Sequence, residues 1–254
     1  MQNTPTIVTA CLIIIGNEIL SGRTQDKNLA YLALKLNDAG VQLRETRVIP
    51  DHEETIIATV NECRATFDYI FTTGGIGPTH DDITTACIAK AFGVAVHRHP
   101  EAEKALRAHY TAEQMNEARL KMADVPVGAT LIPNPVSSAP GFKLGNVHVM
   151  AGVPRICQAM IDAVMPELRG GATVLSTSIT TNLAEGTIAD GLTAIQARHA
   201  DVEIGSYPMF KQGVLSTTLV LRSPDATRNK HVHDEVAALI AECGGQLIEP
   251  PVKN

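Results

Sequence analysis

The 254-residue sequence has no apolar stretch long enough to span a bilayer, and Met1 to Thr6 lacks the basic residues that begin a secretory signal. A cytoplasmic protein with no membrane partner is expected. Also missing is an excess of positive charge: the net charge is −6, whereas a dedicated nucleic-acid binder meets phosphates with clustered Lys and Arg. No nucleic-acid partner is expected. Cysteine is sparse, and its five positions, Cys11, Cys63, Cys87, Cys157 and Cys243, are odd in number, widely spaced and mostly set in apolar segments. That pattern reads as buried free thiols rather than disulfides or a metal centre. Internal repeats and low-complexity segments are absent too. What remains, 44% hydrophobic and 19% charged, is an ordinary globular composition, long enough for two unequal domains.

Thr6 to Ile15 is an almost unbroken apolar run, as expected of a parallel strand buried on both faces. A polar, glycine-bounded loop follows, Gly16-Asn17-Glu18-Ile19-Leu20-Ser21-Gly22. Asp26-Lys27-Asn28 then leads into a helix with Leu29, Leu32 and Leu36 at helical spacing, closed by Gly40. Val41 to Ile49 reads as a strand, Pro50-Asp51 opens a helix through Phe67, and Tyr69 to Thr73 is a third strand. This alternation predicts a three-layer α/β domain with a doubly wound, mostly parallel sheet. In such sheets ligands bind beyond the carboxyl ends of the strands, where the loops after the first and third strands converge.

Farther along, Val94 to Val96 predicts a short strand, Pro100 to Met122 a helix, and Ala129 to Ile132 and Val147 to Met150 further strands. Ala151-Gly152-Val153-Pro154-Arg155 then starts a helix to Leu168, with Pro154 suited to its first turn and Arg155 facing either an anion or solvent. The boundary is set at Arg169-Gly170-Gly171, giving domains 1–170 and 171–254. The second is expected to be a smaller α+β domain: strands at 173–180, 202–207 and 214–222, helices at 186–199 and 229–243, and a short strand at Gln246 to Ile248.

The richest stretch for chemistry is Thr72-Thr73-Gly74-Gly75-Ile76-Gly77-Pro78-Thr79-His80-Asp81-Asp82-Ile83-Thr84. Glycines at 74, 75 and 77 let backbone approach a ligand, and the helix that follows offers free N–H groups and a positive dipole end, a combination that favours phosphate. The plain alternative is a tight turn between strand and helix. Pro78, Thr79, His80 and the two carboxylates bring more polar chemistry than a turn needs. The loop lacks the Gly-Lys-Ser/Thr of a Walker loop and the Gly-x-Gly-x-x-Gly of a dinucleotide fold. Asp81 and Asp82 are candidates for a divalent metal ion bridging to phosphate, with Glu18 a third carboxylate for hydrolysis; Asp82 can equally cap the helix. Ser137 and Ser138, in the loop Asn134 to Phe142, are candidate hydrogen-bond donors to a ligand or part of a surface loop. His97 with His99, and His231 with His233, read as solvated side chains, since neither pair has a third ligand nearby in sequence.

Those residues, with Gly16 to Gly22, Asp26, Asn28, Ser138-Ala139-Pro140-Gly141 and Gly152-Val153-Pro154 in the same order, resemble the MoaB/Mog molybdopterin-binding fold in the version found in CinA, the competence/damage-inducible proteins. The resemblance covers residues 6 to 168, and Glu185 to Tyr207 is similar to the small domain that follows in CinA. It implies binding of molybdopterin or a nucleotide, with Gly74, Gly75, Gly77 and Thr79 on the phosphate and Asp82, with Asp26 less directly, at the family's acidic positions. It also implies metal-dependent hydrolysis of ADP-ribose to AMP and ribose 5-phosphate through Asp81, Asp82 and Glu18, and a homo-oligomer. The alternative it leaves is a non-catalytic molybdopterin-binding protein. The 254 residues leave no room for the C-terminal deamidase domain of full-length CinA, and that activity is not expected. The composite ligand site then comprises Gly16, Asn17, Ser21, Gly22, Asp26, Asn28, Thr73 to Gly75, Gly77, Pro78, Thr79, Ser137, Ser138, Gly141, Gly152, Pro154 and Arg155.

Overall fold

A computed structural model describes residues 7–211 and 214–249; Thr6 and the outer ends of both expected domains lie outside these. The chain divides into two compact units, Thr6–Gly171 and Ala172–Asn254. In the first, the order is β1 (Val8–Ile15), α1 (Asn17–Leu20), α2 (Asn28–Asp38), β2 (Val41–Ile49), α3 (Glu53–Thr66), β3 (Tyr69–Thr73), α4 (Thr84–Phe92), β4 (Val96–Arg98), α5 (Pro100–His109), α6 (Glu117–Leu120), β5 (Asp124–Pro126), β6 (Thr130–Ile132), β7 (Gly141–Leu144), β8 (Val147–Met150) and α7 (Pro154–Val164).

Six strands form one sheet in the order β2-β1-β3-β8-β7-β6. The first four run parallel, and β7 is antiparallel to its neighbours β8 and β6. The unbroken apolar run of β1 follows from its central place. Cys11, Ile13 and Ile15 face α3 and α4, while Ala10, Leu12 and Ile14 face α2 and α7. Burying each such Ile or Leu contributes roughly 1.5–3 kcal/mol, so both faces must be apolar. Four of the five cysteines, Cys11, Cys63, Cys87 and Cys157, are buried free thiols in these two layers.

Three local expectations are corrected. The Gly16–Gly22 loop holds a single helical turn, α1. The long helix expected from Pro100 is broken: α5 ends at His109, and Asn116 restarts the chain as α6 by accepting from the Arg119 N–H. An asparagine inside an apparently helical run is thus a cap rather than an interior residue. The strand placed at Val94 to Val96 is β4, shifted to Val96–Arg98, and it pairs with β5 in a separate two-stranded ribbon.

The second unit comprises β9 (Leu175–Thr181), α8 (Glu185–Arg198), β10 (Glu203–Lys211), β11 (Val214–Ser223) and α9 (Ala226–Glu242). Its antiparallel sheet, β10-β11-β9, shares a core of Ile179, Leu219 and Leu221 with Ile188 and Ile195 of α8 and Val232, Val236 and Ile240 of α9. The strand expected at Gln246 to Ile248 is reduced to one bridge, Leu247 to Thr181. No helix among the described residues is long and apolar enough to cross a membrane.

His148, on β8, is fully buried and stacked on Phe71 with ring centroids 5.0 Å apart, and its Nε2 has no partner. Burial holds the imidazole down at about 4. Above the ordinary histidine value of 6.5 both folded and unfolded chains carry it neutral; as pH falls below 6.5 the unfolded chain takes up a proton that the native state refuses until about 4. Over that window His148 removes about 3 kcal/mol of stability. His148→Leu is expected to flatten the decline of urea stability between pH 6.5 and 4.5, the variant losing less than the wild type.

Candidate functional site

The carboxyl ends of β1, β3 and β8 lie side by side: Ile14 pairs with Thr73, and Thr73 with Met150. Their three loops therefore start together. A Cβ on Gly74 would stand 2.1 Å from the Ile15 carbonyl oxygen, and one on Gly152 would stand 3.3 Å from the Cα of Gly74. Glycine at 74, with its φ of 105°, is dictated by this crowding. Next to it, Gly75 has a φ of 70°, and an added Cβ would meet the Thr84 hydroxyl oxygen at 2.1 Å. Thr84 closes the loop by donating from Oγ1 to the Gly74 carbonyl at 3.0 Å and from its N–H to the Gly75 carbonyl at 2.9 Å.

The loops enclose a cavity of about 560 Å³. Glu18 and Thr24 contribute from the segment after β1, Gly74 to Pro78 and Asp82 from the segment after β3, and Ala151 to Pro154 with Ile156 from the start of α7. Asn134, Ser137 and Ala139 form another wall, and Tyr110 and Met122, from the excursion between β4 and β5, an apolar end. Two carboxylates and no Lys or Arg line it, so the walls are acidic. The N–H of Gly74 is spent on the Met150 carbonyl, whereas those of Gly75, Ile76 and Gly77 donate to no acceptor among the described residues. Three successive N–H groups on a glycine turn are thus left without a protein acceptor.

Asp82 reaches this cavity without capping α4, whose first residue follows Ile83 with no side-chain cap. Its Oδ2 accepts from the Thr79 N–H at 2.8 Å and from the Thr79 hydroxyl, leaving Oδ1 free of any donor among the described residues. Gly77 makes room, since a Cβ there would stand 2.6 Å from that Oδ2. Asp81 is exposed and is absent from the cavity wall.

The structure therefore brings Glu18, Gly74, Gly75, Gly77, Pro78, Asp82, Ser137, Gly152 and Pro154 to one cavity. Others of the expected set support it from behind or stand away. Asp26 Oδ1 accepts from the N–H groups of Asn28 and Leu29 and so starts α2. Asn28 donates from its side chain to the Gly152 carbonyl at 2.9 Å, its Oδ1 buried without a partner. Gly141 serves the sheet, since a Cβ would lie 2.4 Å from the Val149 oxygen. Thr73 is buried at the end of β3, Gly16 is crowded by the Glu18 carboxylate, and Asn17, Ser21, Gly22, Thr79, Ser138 and Arg155 are not on the cavity wall.

Sequence reasoning missed Asn134, Asp51, Tyr110, Met122 and Lys121. Asn134 organises its loop: its amide donates to Ser137 Oγ and the Ala139 carbonyl, while its Oδ1 accepts from the N–H groups of Val136 and Ser137. Its signal was legible as an Asn-Pro turn start. Ser138, beside it, has a positive φ of 60°. Asp51 accepts from the Asn17 N–H at 2.8 Å. The others come from the excursion and gave no local signal.

Two places in the second unit compete for attention. A groove of about 780 Å³ between α8 and β10 offers one carboxylate, Glu185, and otherwise small or apolar walls. His231, read from sequence as lacking a third ligand, gathers with His199 and Glu235 within metal-binding distance. The hydrogen bonds oppose a cation there. Arg228 donates to His199 Nδ1 at 2.9 Å, which places the ring proton on Nε2, where it is given to Glu235 at 2.8 Å. A metal-binding imidazole needs one ring nitrogen with a free lone pair and the other N–H donated, and neither nitrogen of His199 keeps a free lone pair. Arg198 also donates to Glu235, so the cluster is a satisfied network.

Residues 11–170 match the family described as "Probable molybdopterin binding domain", and residues 173–244 match "FAD synthase, middle domain". A CinA-like protein of Desulfosudis oleivorans is 32% identical over 85% of this chain and 55% of its own length. A probable FAD synthase of Caenorhabditis elegans is 30% identical over 93% of this chain and 51% of its own. The chain thus spans about half the length of these two relatives. The crystal structure of CinA from Thermoplasma acidophilum, 32% identical, superposes with a TM-score of 0.60 over 63% of this chain and 98% of that one.

The turn geometry separates two glycines of the expected site. Gly75→Ala meets both strain and the Thr84 hydroxyl, whereas Gly22→Ala, at φ 71° with nothing within 4 Å, meets strain alone. Gly22→Ala should cost about 1–2 kcal/mol in urea unfolding and Gly75→Ala more. Equal costs would contradict the crowding.

Proposed function

The chain belongs to the molybdopterin-binding domain family, and from that premise we propose that its cavity binds a small phosphorylated nucleotide and hydrolyses the pyrophosphate of ADP-ribose-type substrates. The observation that carries this reading is a run of three N–H groups without an acceptor beside two carboxylates, Glu18 and Asp82, with no basic side chain on the wall. A pyrophosphate would bring negative charge to an acidic cavity. The donor set therefore fits a hard divalent cation held by phosphate oxygens and the free Oδ1 of Asp82, with the Glu18 carboxylate left to act as a base. Such an ion, when bound, polarises a phosphoryl oxygen and lowers the pKa of a water.

The chain's own groups supply the rest. The N–H groups of Gly75, Ile76 and Gly77 hold a phosphate and stabilise charge growing on its oxygens. Glu18 takes the proton of the attacking water; the new P–O bond forms as the bridging P–O bond breaks, leaving AMP and ribose 5-phosphate. Tyr110 and Met122 offer an apolar end for a heteroaromatic ring. Asp81, off the wall, adds negative charge from outside. The naming of one relative as a probable FAD synthase supports the same substrate class, because FAD also carries an adenosine pyrophosphate.

The family description favours a second reading, a protein that binds molybdopterin without turnover. The two separate in one experiment. Purified protein with ADP-ribose or FAD and Mg²⁺, Mn²⁺ or Co²⁺ should release AMP, and Asp82→Asn should lose on the order of 100-fold or more of that rate while Asp81→Asn loses less. Absence of AMP with every metal would sink the hydrolytic reading, and saturable molybdopterin binding would then support the second. Both readings carry the expectation of a cytoplasmic homo-oligomer, which light scattering checks.

A further inference from the structure

We propose that Lys121 is a positioning residue of the pyrophosphate site, its ammonium chelating two main-chain carbonyls to set where the Asp82 carboxylate stands. This rests on the hydrolytic reading above. The Lys121 Nζ lies 2.8 Å from the Thr79 carbonyl oxygen and 2.9 Å from that of Asp82. The turn between them is exposed at Thr79, His80 and Asp81, and the hydrogen bonds of Asp82 to Thr79 are internal to it. Such bonds give the turn a shape without fixing it to the body of the domain. Lys121 supplies that anchor from about 40 residues away in sequence.

Its stem is well founded: Leu120 and Ala123, on either side, are buried. The ammonium is also kept for its task. Asp124, which with Asp82 shares a cavity of about 190 Å³ with Lys121, is already paired with Arg98 at 2.9 Å. That small cavity is walled by Ile76, Gly77 and Asp82 as well, so it backs onto the same turn that fronts the larger one. Lys121 therefore acts from behind the acid, touching backbone and leaving the carboxylate free. A neutral side chain of equal length would fill the space but could not hold two carbonyls.

The test compares Lys121→Met, and Lys121→Ala with and without propylamine, against wild type. Three quantities are measured: AMP release from ADP-ribose, Mn²⁺ affinity by calorimetry, and melting temperature. Positioning predicts that Lys121→Met lowers kcat and weakens Mn²⁺ binding by roughly 10–100-fold each, with little change in KM, as when a supporting contact to a ligand is lost. Propylamine should restore part of the rate to Lys121→Ala, because an ammonium in the same place is what the turn needs. Wild-type kcat in Lys121→Met overturns the proposal. So does a rate loss in Lys121→Ala that follows the melting temperature and ignores propylamine. If the wild type releases no AMP, the hydrolytic reading fails by itself, and the Mn²⁺ isotherms decide for Lys121: equal isotherms, absent binding included, overturn it.

Discussion

The first unit depends on the crowding of three parallel strand ends. Because β1, β3 and β8 are neighbours whose carboxyl ends stop at nearly the same level, the backbone leaving β3 has no room for a side chain between Ile15 and Gly152. Glycine at 74 admits the close approach, and its positive φ turns the chain away from the sheet. The next three N–H groups then find no acceptor among the described residues. This run of unpaired donors is in this sense a by-product of how the strands end, at the point where the chain order switches from one side of β1 to the other.

Acidity is the second constraint. Unpaired N–H donors with two carboxylates beside them and no Lys or Arg on the cavity wall would leave a pyrophosphate's charge unmatched unless a cation joined it. Thr79 holds one oxygen of Asp82, and the Glu18 carboxylate folds over Gly16. Where positive charge does approach, at Lys121, it is turned to main-chain carbonyls. The cavity thus keeps its negative potential while its acidic turn stays anchored.

The second unit shows the opposite use of charged groups. In the Arg228–His199–Glu235–Arg198 chain each side chain is hydrogen-bonded to the next, which secures the end of α8 against α9. Three metal-type ligands at short range are therefore a structural joint, because the tautomer set by Arg228 removes the lone pair a metal would need. Distance alone would have given the wrong chemistry, and the direction of one hydrogen bond decides it.

The order of strands and helices, the double burial of β1, the loop at Gly74 to Asp82 and the family resemblance were all legible in the sequence, because periodicity, glycine spacing and short polar motifs are local properties. The breaks at Tyr110 and Asn116 were not, since a capping asparagine looks like a helix residue until its neighbours' dihedrals are known. Nor was the division of labour among the carboxylates. Adjacent in the chain, Asp81 and Asp82 read alike as metal candidates, although the resemblance singles out Asp82, and the turn's conformation sends one to the cavity and the other to solvent. Likewise Tyr110, Met122 and Lys121 join the site from an excursion well beyond the glycine loop in sequence. The sequence by itself determined where glycines let the backbone turn and lie close to its neighbours. Tertiary structure decided which side chains surround it, because their approach depends on packing between segments that have no local relation.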